Sequence, residues 1–352
     1  VQDCPEEQIA ALLYSSGTTG KPKGIMLSHG NIGSNAHALK EAWQFTSDDC
    51  LLHALPIYHV HGLFVALGCA FLSGSKVLWL DTFNPDAVVN ALPNCTVMMG
   101  VPTYYTRLLS NEKLNKEVVK NIRIFISGSA PLLEETFDEF YIRTGHEIIE
   151  RYGMTETNII SSNPVNGERK SGTVGVCLKA QALRIVDDGE NILGLDDIGN
   201  IQVKGPNVFK GYWNLPEKTK EDFGTDNFFS TGDKGFLDAE GYLTIVGRAK
   251  DMIISGGLNV YPKEVESVIN EIEGVIESAV IGLPDDDLGE KVVAVIVRKD
   301  QSQITESEVI SSLKTQIAGF KVPKKIILIE ELPRNAMGKV QKNILRDIYA
   351  KM

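Results

Sequence analysis

The chain has 352 residues, which is enough for two or three domains of ordinary size. Its hydrophobic fraction of 43% and charged fraction of 23% are typical of globular proteins, which excludes a disordered, collagen-like or coiled-coil chain. With 35 basic and 46 acidic residues the net charge is -11, so we expect no nucleic-acid partner and no binding to anionic membranes.

The cysteines indicate a compartment rather than a covalent framework. Five are scattered along the chain and none belongs to a CxxC pair, so we expect neither a disulfide framework nor a zinc site. A reducing compartment, the cytoplasm or an organelle matrix, fits this pattern best. The most apolar run, residues 63–72, is too short to cross a bilayer, and the N-terminus lacks a signal-peptide layout, so no membrane span is expected.

In the first half of the chain, short β-rich runs alternate with helical patterns. Such alternation predicts an α/β fold with a parallel sheet covered by helices. The predicted strands are residues 96–101, 123–127 and 147–152, and the predicted helices are residues 102–110 and 131–144.

The pattern changes twice further along. Residues 172–246 contain short strands punctuated by Asp- and Gly-rich turns, which predicts a small antiparallel barrel or sandwich. After Arg248 the elements of a compact α+β module follow: helices 262–272 and 304–318, and strands 275–282, 292–297 and 325–329. We therefore predict three regions: residues 1–170, residues 171–247 and residues 248–352.

The segment from Tyr14 to Gly24, YSSGTTGKPKG, follows a short apolar run. Its three glycines allow close backbone approach, its hydroxyl and N–H groups can donate to phosphate oxygens, and its two lysines supply positive charge. The pattern is not a Walker A loop, because Pro22 stands where that motif needs Ser or Thr. Polyphosphate binding is one interpretation, and a plain Gly/Ser/Thr loop is the alternative.

Three further segments carry chemistry. Residues 151–157, RYGMTET, end a predicted strand, where α/β sheets bind ligands, so a stacking Tyr and an acid there suit a nucleotide and its Mg²⁺. Residues 230–233, STGD, offer an Asp at a glycine turn for a ribose, and residues 247–251, GRAKD, offer an Arg for a phosphate. Residues 333–342 place Lys339 beside a glycine. Taken singly, each segment is also compatible with a solvated loop.

Taken together and in this order, these segments resemble the adenylate-forming superfamily of acyl-CoA synthetases, luciferases and adenylation domains. The resemblance implies an α/β body, a small β-subdomain and a mobile C-terminal α+β domain. It also implies ATP and coenzyme A as substrates and Mg²⁺ as a cofactor. Superfamily members carry a long segment before the phosphate loop, so we expect this chain to lack an N-terminal segment. A catalytically impaired nucleotide-binding fragment is therefore an open alternative.

The resemblance assigns a role to each matching position. Lys339 would neutralise charge in the adenylation step, with Thr155 touching phosphate and Glu156 binding Mg²⁺. Lys250 would be the hinge between two half-reactions. The implied ATP-binding residues are Ser16, Gly17, Thr18, Thr19, Gly20, Lys23, Tyr152, Asp233 and Arg248. The implied CoA-binding residues are Ser255, Gly256 and Gly257.

The acid is indicated by polar groups where an apolar acyl pocket would be expected. His59 and His61 follow one apolar run, Arg107 lies one turn into a helix, and Ser129 follows a strand. An arginine fork suits a second carboxylate. These positions resemble the malonyl-CoA synthetases, which implies malonate, or methylmalonate, as the small-molecule acid. A short-chain or aryl acid CoA ligase remains the alternative. We expect the chain to be a monomer or a homodimer.

Overall fold

The computed structural model describes residues 4–14, 22–299, 302–335 and 338–350. These fall into two compact units. The first comprises residues 4–14, 22–231 and 236–244, and the second comprises residues 232–235, 245–299, 302–335 and 338–350. The division of the first unit at residue 171 stays a prediction.

The strands follow one another along the chain with these bounds: β1 Ile9–Tyr14, β2 Gly24–Ser28, β3 Cys50–His53, β4 Lys76–Trp79, β5 Val97–Gly100, β6 Ile124–Ser127, β7 Ile148–Met154, β8 Asn158–Ser162, β9 Val176–Cys177, β10 Ala182–Val186, β11 Gly199–Lys204, β12 Gly211–Tyr212, β13 Phe229–Leu237, β14 Leu243–Arg248, β15 Ile253–Ser255, β16 Leu258–Val260, β17 Val275–Asp285, β18 Gly289–Arg298 and β19 Lys325–Ile329.

The α-helices are α1 His29–Ala42, α2 Leu67–Ser73, α3 Pro85–Ala91, α4 Pro102–Leu109, α5 Glu134–Thr144, α6 Pro216–Asp222, α7 Pro262–Asn270, α8 Glu306–Leu313 and α9 Lys342–Tyr349. A π-helix, His61–Ala66, runs directly into α2. Single 3₁₀ turns cover Leu92–Asn94 and Ala249–Asp251. Among the residues that the structure describes, no helix has the length and apolarity needed to span a bilayer.

The first unit is built on a seven-stranded sheet in the order β4-β3-β5-β6-β7-β8-β9. The five strands from β4 to β7 are parallel, and β8 and β9 extend the sheet antiparallel. Strands β5 and β6 are buried at every position, because helices cover both faces of the sheet. The sheet confirms the predicted α/β architecture.

Alternation along these strands divides the core into two layers. Phe125 and Ile148 pack with α3, α4 and α5 on one face. Ile126 and Ile149, one residue further along, pack with α1 and α2 on the other face. Successive strand side chains point to opposite faces, so one short apolar run supplies both layers.

Two smaller sheets follow. Strands β1, β2 and β12 form a three-stranded antiparallel sheet, and β10, β11, β13 and β14 form a four-stranded one. The latter, where a barrel or sandwich was predicted, is an open sheet in the described part of the chain, because its outer strands β10 and β14 are not neighbours in the strand order.

The second unit has its own sheet, in which β16, β15, β18 and β17 follow one another and β19 pairs with β18 in parallel. Helices α7 and α8 pack against it around Val265 and Val309. The predicted strand 325–329 and the start of helix 262–272 are confirmed. The helix predicted over 304–318 is shorter. The capping box of Thr305 and Glu308 sets its start, and after Leu313 the N–H groups of Thr315 and Gln316 make turn-type bonds to residues three positions earlier.

Phe140 tests the packing of the first core layer. Its buried ring lies edge-on to Tyr105 and Phe125, with ring centroids 5.4 and 4.9 Å away. We expect Phe140→Ala to lower the free energy of unfolding by about 3–5 kcal/mol in chemical denaturation. Tyr141→Ala, the exposed neighbour on the same helix, is the control and should cost much less; equal losses would contradict this packing.

Candidate active site

The parallel strands of the first unit end at one edge of the sheet, and the predicted site residues follow those ends. His59 and His61 come after β3, Arg107 lies in α4 after β5, Ser129 follows β6, and Tyr152 lies at the end of β7. The carboxyl ends of parallel strands are the usual ligand-binding edge of an α/β sheet. This topology brings distant parts of the sequence to one edge.

Glu156 is held in the three-residue turn between β7 and β8. Met154 pairs with Asn158, and Asn158 has a φ of 52°. A Cβ at Gly153 would lie 1.9 Å from the carbonyl oxygen of Asn158, so only glycine allows the strands to approach this closely. The turn leaves Glu156 buried and Thr155 half-buried, with Tyr152 buried on β7 itself.

Tyr212 links Glu156 to Lys23. The Lys23 ammonium lies 4.3 Å from the centroid of the Tyr212 ring, and the Tyr212 hydroxyl donates to Glu156 Oε1 at 3.4 Å. The backbone N–H of Phe209 donates to the Glu156 carbonyl at 2.7 Å. Two residues predicted to hold phosphate and Mg²⁺, 133 positions apart in sequence, thus contact the same side chain.

The predicted Mg²⁺ site contains a single carboxylate, that of Glu156. Among residues 4–14, 22–299, 302–335 and 338–350, no three His, Cys, Asp or Glu side chains form a group that could hold a metal ion alone. Mg²⁺ commonly binds through one or two carboxylates together with substrate phosphates. Glu156 is suited to that arrangement.

The two predicted histidines and Ser129 are in contact. His61 Nδ1 lies 3.2 Å from Ser129 Oγ, and the backbone N–H of His61 donates to His59 Nδ1 at 3.2 Å. Burial and then the charge of Arg151 lower the pKa of His59 to about 4, and the same two causes lower that of the fully buried His61. Both imidazoles are therefore neutral at neutral pH, and they supply hydrogen bonds rather than charge.

Arg151 is the positive charge of this group. Its guanidinium is buried, and its Nε and Nη2 have no hydrogen-bond partner in the part of the chain that the structure describes. Burial lowers its pKa to about 9, which leaves the group charged at neutral pH. A buried charge that is incompletely hydrogen-bonded costs several kcal/mol, so an anion bound to Nε and Nη2 would lower the free energy of the site.

Gly128 makes room for this guanidinium. A Cβ at Gly128 would lie 2.3 Å from Arg151 Cζ, so any other residue there would displace the charged group. Ser127 Oγ and His61 Nε2 are also buried without a hydrogen-bond partner among the described residues. The strand ends of β6 and β7 and the π-helix thus gather several unused polar groups.

Arg107 stands apart from this group. It is exposed on α4, and the contacts of the described residues do not bring it to His61 or Ser129. Its charge acts instead on Tyr104, whose hydroxyl donates to the Ala54 carbonyl at 3.2 Å. The predicted role of Arg107 in holding the acid stays a prediction.

In the second unit the predicted nucleotide residues form a charged cluster. Arg248 Nε lies 2.8 Å from Asp233 Oδ1, and Arg346 Nη2 lies 2.8 Å from Asp251 Oδ1. Burial and then the positive charge of Arg248 lower the pKa of Lys339, and Lys250 adds to this effect. The predicted catalytic lysine, ribose aspartate and hinge lysine therefore interact electrostatically.

Lys339 is held from the backbone side by Asn335. The Asn335 side-chain oxygen accepts from the Lys339 N–H at 3.0 Å, and the Asn335 N–H donates to the Lys339 carbonyl at 2.9 Å. Arg334 and Val340 form an antiparallel bridge around this loop. The backbone of Lys339 is thereby fixed close to the start of α9.

The predicted CoA-binding segment is a two-residue hairpin turn. Ser255 pairs with Leu258 across β15 and β16, and the turn residues Gly256 and Gly257 have φ values of 58° and 78°. Positive φ at both positions is typical of hairpin turns that need glycine. Both glycines are exposed, which leaves their backbone open to a ligand.

The remaining ATP-binding predictions, Ser16, Gly17, Thr18, Thr19 and Gly20, lie outside the described residues. Sequence reasoning missed Arg151, Gly128 and Tyr212. The sequence does carry a sign of Arg151: it is an arginine on a mostly apolar strand, directly before the predicted site residue Tyr152. Nothing local marked Tyr212, because its role depends on contacts with residues far away in sequence.

Three comparisons place these features among known proteins. Residues 1–213 match the model of the AMP-binding enzyme family, and residues 264–339 match that of the AMP-binding enzyme C-terminal domain. A malonate–CoA ligase of Arabidopsis thaliana is 41% identical over 96% of this chain, and an indoleacetate–CoA ligase of Aromatoleum aromaticum is 36% identical over 97%. The chain spans 60% and 67% of the lengths of these two relatives.

A similar solved structure is that of ATP-bound MatB from Rhodopseudomonas palustris. It shares 52% identity with this chain at a TM-score of 0.98, and the match covers 99% of this chain and 70% of that one.

The charge cluster around Lys339 predicts an unusual titration. Because its pKa is lowered, Lys339 should react with an amine-directed reagent at lower pH in the folded protein than in the denatured chain, as measured by mass spectrometry of labelled peptides. Lys250→Gln removes a nearby positive charge, so the midpoint for Lys339 should move to higher pH. An unchanged midpoint in Lys250→Gln would contradict the electrostatic coupling.

Proposed function

Because the chain belongs to the AMP-binding enzyme family, we propose that it is an ATP-dependent acid–CoA ligase for a small dicarboxylic acid, malonate or methylmalonate. One carboxylate oxygen attacks the α-phosphorus of ATP, a new P–O bond forms, and pyrophosphate leaves. The thiol of coenzyme A then attacks the acyl carbon of the acyl-adenylate, and AMP leaves. The protein's contribution is positioning and charge neutralisation.

The observation that carries this proposal is the buried Arg151 guanidinium with two unused nitrogens. A guanidinium fork binds a carboxylate through two parallel hydrogen bonds, and the Ser129–His61 pair stands ready as a neutral neighbour. A dicarboxylic acid can place one carboxylate here and present the other to ATP. A monocarboxylic acid would leave the buried charge unpaired, which is a strong basis for rejection.

The other residues divide the nucleotide between them. Lys23 would neutralise phosphate charge, Glu156 would bind Mg²⁺, Thr155 would touch phosphate, and Tyr152 would flank the adenine. Asp233 would bind the ribose hydroxyls, with Arg248 assisting. Lys339 would offset the negative charge that builds up as the carboxylate attacks.

We also propose residues for the ATP-binding loop, for coenzyme A and for Mg²⁺. The ATP-binding loop would include Ser16, Gly17, Thr18, Thr19 and Gly20. Coenzyme A would approach the Ser255, Gly256 and Gly257 turn, with Lys250 as the hinge between the half-reactions. Mg²⁺, bound by Glu156, would screen the charge of the phosphates.

The acid is tested by measuring AMP formation from ATP with malonate, methylmalonate, acetate and succinate, each with and without coenzyme A. We expect malonate or methylmalonate to lead, and Lys339→Ala to lower acyl-adenylate formation by about 100-fold or more. A profile led by acetate would favour the short-chain ligase. No AMP from any acid, with ATP still bound, would favour a catalytically impaired fragment.

Arg151 and Arg107 can be separated by substitution. Arg151→Gln should lower kcat/KM for malonate by about 10- to 150-fold, since a lost hydrogen bond to a charged group is worth about 1.5–3 kcal/mol. Gly128→Ala, which keeps Arg151 but displaces its guanidinium, should reproduce much of this loss. If Arg107→Gln alone abolishes malonate selectivity, the predicted Arg107 site is the correct one.

The exposed Arg298 supplies the control for loss of a positive charge. Arg298→Gln should leave kcat/KM for malonate unchanged. Circular dichroism and thermal unfolding of Arg151→Gln distinguish a lost ligand contact from a lost fold.

A further inference from the structure

Tyr212 lies on the short edge strand β12, where its backbone is fixed on both sides. Gly211 and Tyr212 pair with Met26 and Ile25 of β2, and the Tyr212 N–H donates to Thr219 Oγ1 at 2.9 Å. The ring is buried and lies edge-on to Phe209, with the centroids 4.8 Å apart. The tyrosine therefore has little freedom to move away from its neighbours.

The face of this ring lies under Lys23. The 4.3 Å distance from the ammonium to the ring centroid is within the range of a cation–π interaction. Lys23 directly precedes β2, the strand that pairs with β12, so the ring and the lysine are carried by adjacent strands of one small sheet. Tyr212 is therefore placed to fix where the Lys23 charge sits.

The hydroxyl of the same ring points to acidic groups. It donates to Glu156 Oε1 at 3.4 Å, and Asp222 of α6 also acts on it. Asp222 is itself paired with Lys218, whose Nζ lies 2.8 Å from Asp222 Oδ1.

We propose that Tyr212 is a positioning residue that fixes the Lys23 ammonium and the Glu156 carboxylate relative to each other, and so matches them to a magnesium–triphosphate. The ring face serves the cation and the hydroxyl serves the carboxylate. This inference rests on the proposed function, because it takes Lys23 as a phosphate-binding group and Glu156 as the Mg²⁺ ligand.

Two substitutions separate the two contacts. Tyr212→Phe keeps the ring under Lys23 but removes the hydroxyl, so the Mg²⁺ concentration for half-maximal pyrophosphate release should rise by about 3- to 10-fold. The KM for ATP at saturating Mg²⁺ should stay within about 2-fold. Tyr212→Leu removes the ring as well, so the KM for ATP should also rise, by about 3-fold or more.

A double-mutant cycle tests the coupling directly. The effect of Tyr212→Leu on ATP affinity should be small in a Lys23→Met background, because the lysine it positions is then absent. The effect of Tyr212→Phe on Mg²⁺ dependence should likewise shrink in Glu156→Gln. Full additivity in both cycles would overturn the proposal.

The chain offers a matched control in Tyr242. Lys170 lies 4.4 Å from the centroid of its ring, and its hydroxyl donates to the Glu168 carbonyl at 2.8 Å. Tyr242 thus also combines a lysine over its ring with a donating hydroxyl, here to a backbone carbonyl, and neither partner is a residue predicted to bind nucleotide. Tyr242→Phe and Tyr242→Leu should leave the Mg²⁺ dependence and the KM for ATP unchanged, and a shift equal to that of the Tyr212 variants would overturn the proposal.

Calorimetric titration with ATP and Mg²⁺ separates this inference from the proposed function. If the unsubstituted protein does not bind ATP and Mg²⁺, the proposed function fails. If it binds them, and Tyr212→Phe, shown by circular dichroism to be folded, has the same Mg²⁺ dependence, only the role of Tyr212 is overturned.

Discussion

A positive charge buried without a counter-charge is the constraint around which this edge of the sheet is organised. The sheet that buries Arg151 gives it no carboxylate among the described residues, and a cost of several kcal/mol would ordinarily select against such an arginine. Gly128 has no side chain and so leaves space for the Arg151 guanidinium. The neighbouring His59 and His61 are neutral and add no charge beside it. In the proposed function, a bound dicarboxylate would compensate the Arg151 charge, and a monocarboxylic acid would not.

The positive groups in the two units follow a related logic. Lys23 is held against an aromatic face, and Lys339 is held beside Arg248 in a cluster where like charges lower its pKa. In the proposed function both groups suit a ligand with several negative charges, because positive groups at a site attract a phosphate chain.

The sequence predicted the fold where local patterns decide it. Proline at the first turn of α4 and α7, and the apolar runs of β5 and β6, marked those elements within a residue or two. The end of α8 was predicted five residues too late, because after Leu313 the backbone makes turn-type hydrogen bonds that the apolar pattern does not reveal. Candidate site residues within recognisable motifs, such as Glu156 and Lys339, could be proposed from the sequence alone. Arg151 and Tyr212 could not, because their proposed roles rest on burial and on contacts across the fold.

Ser129 shows what such a site asks of the backbone. With a φ of 75° it adopts a left-handed conformation that glycine would enter at lower energy, and a side chain there costs about 1 kcal/mol. Its hydroxyl lies beside His61 because the chain turns in this way. A glycine at this position would relax the turn and remove the hydroxyl at once. Selection for thermostability alone would therefore favour glycine here and remove the contact between Ser129 and His61. Selection for ligand binding would preserve it.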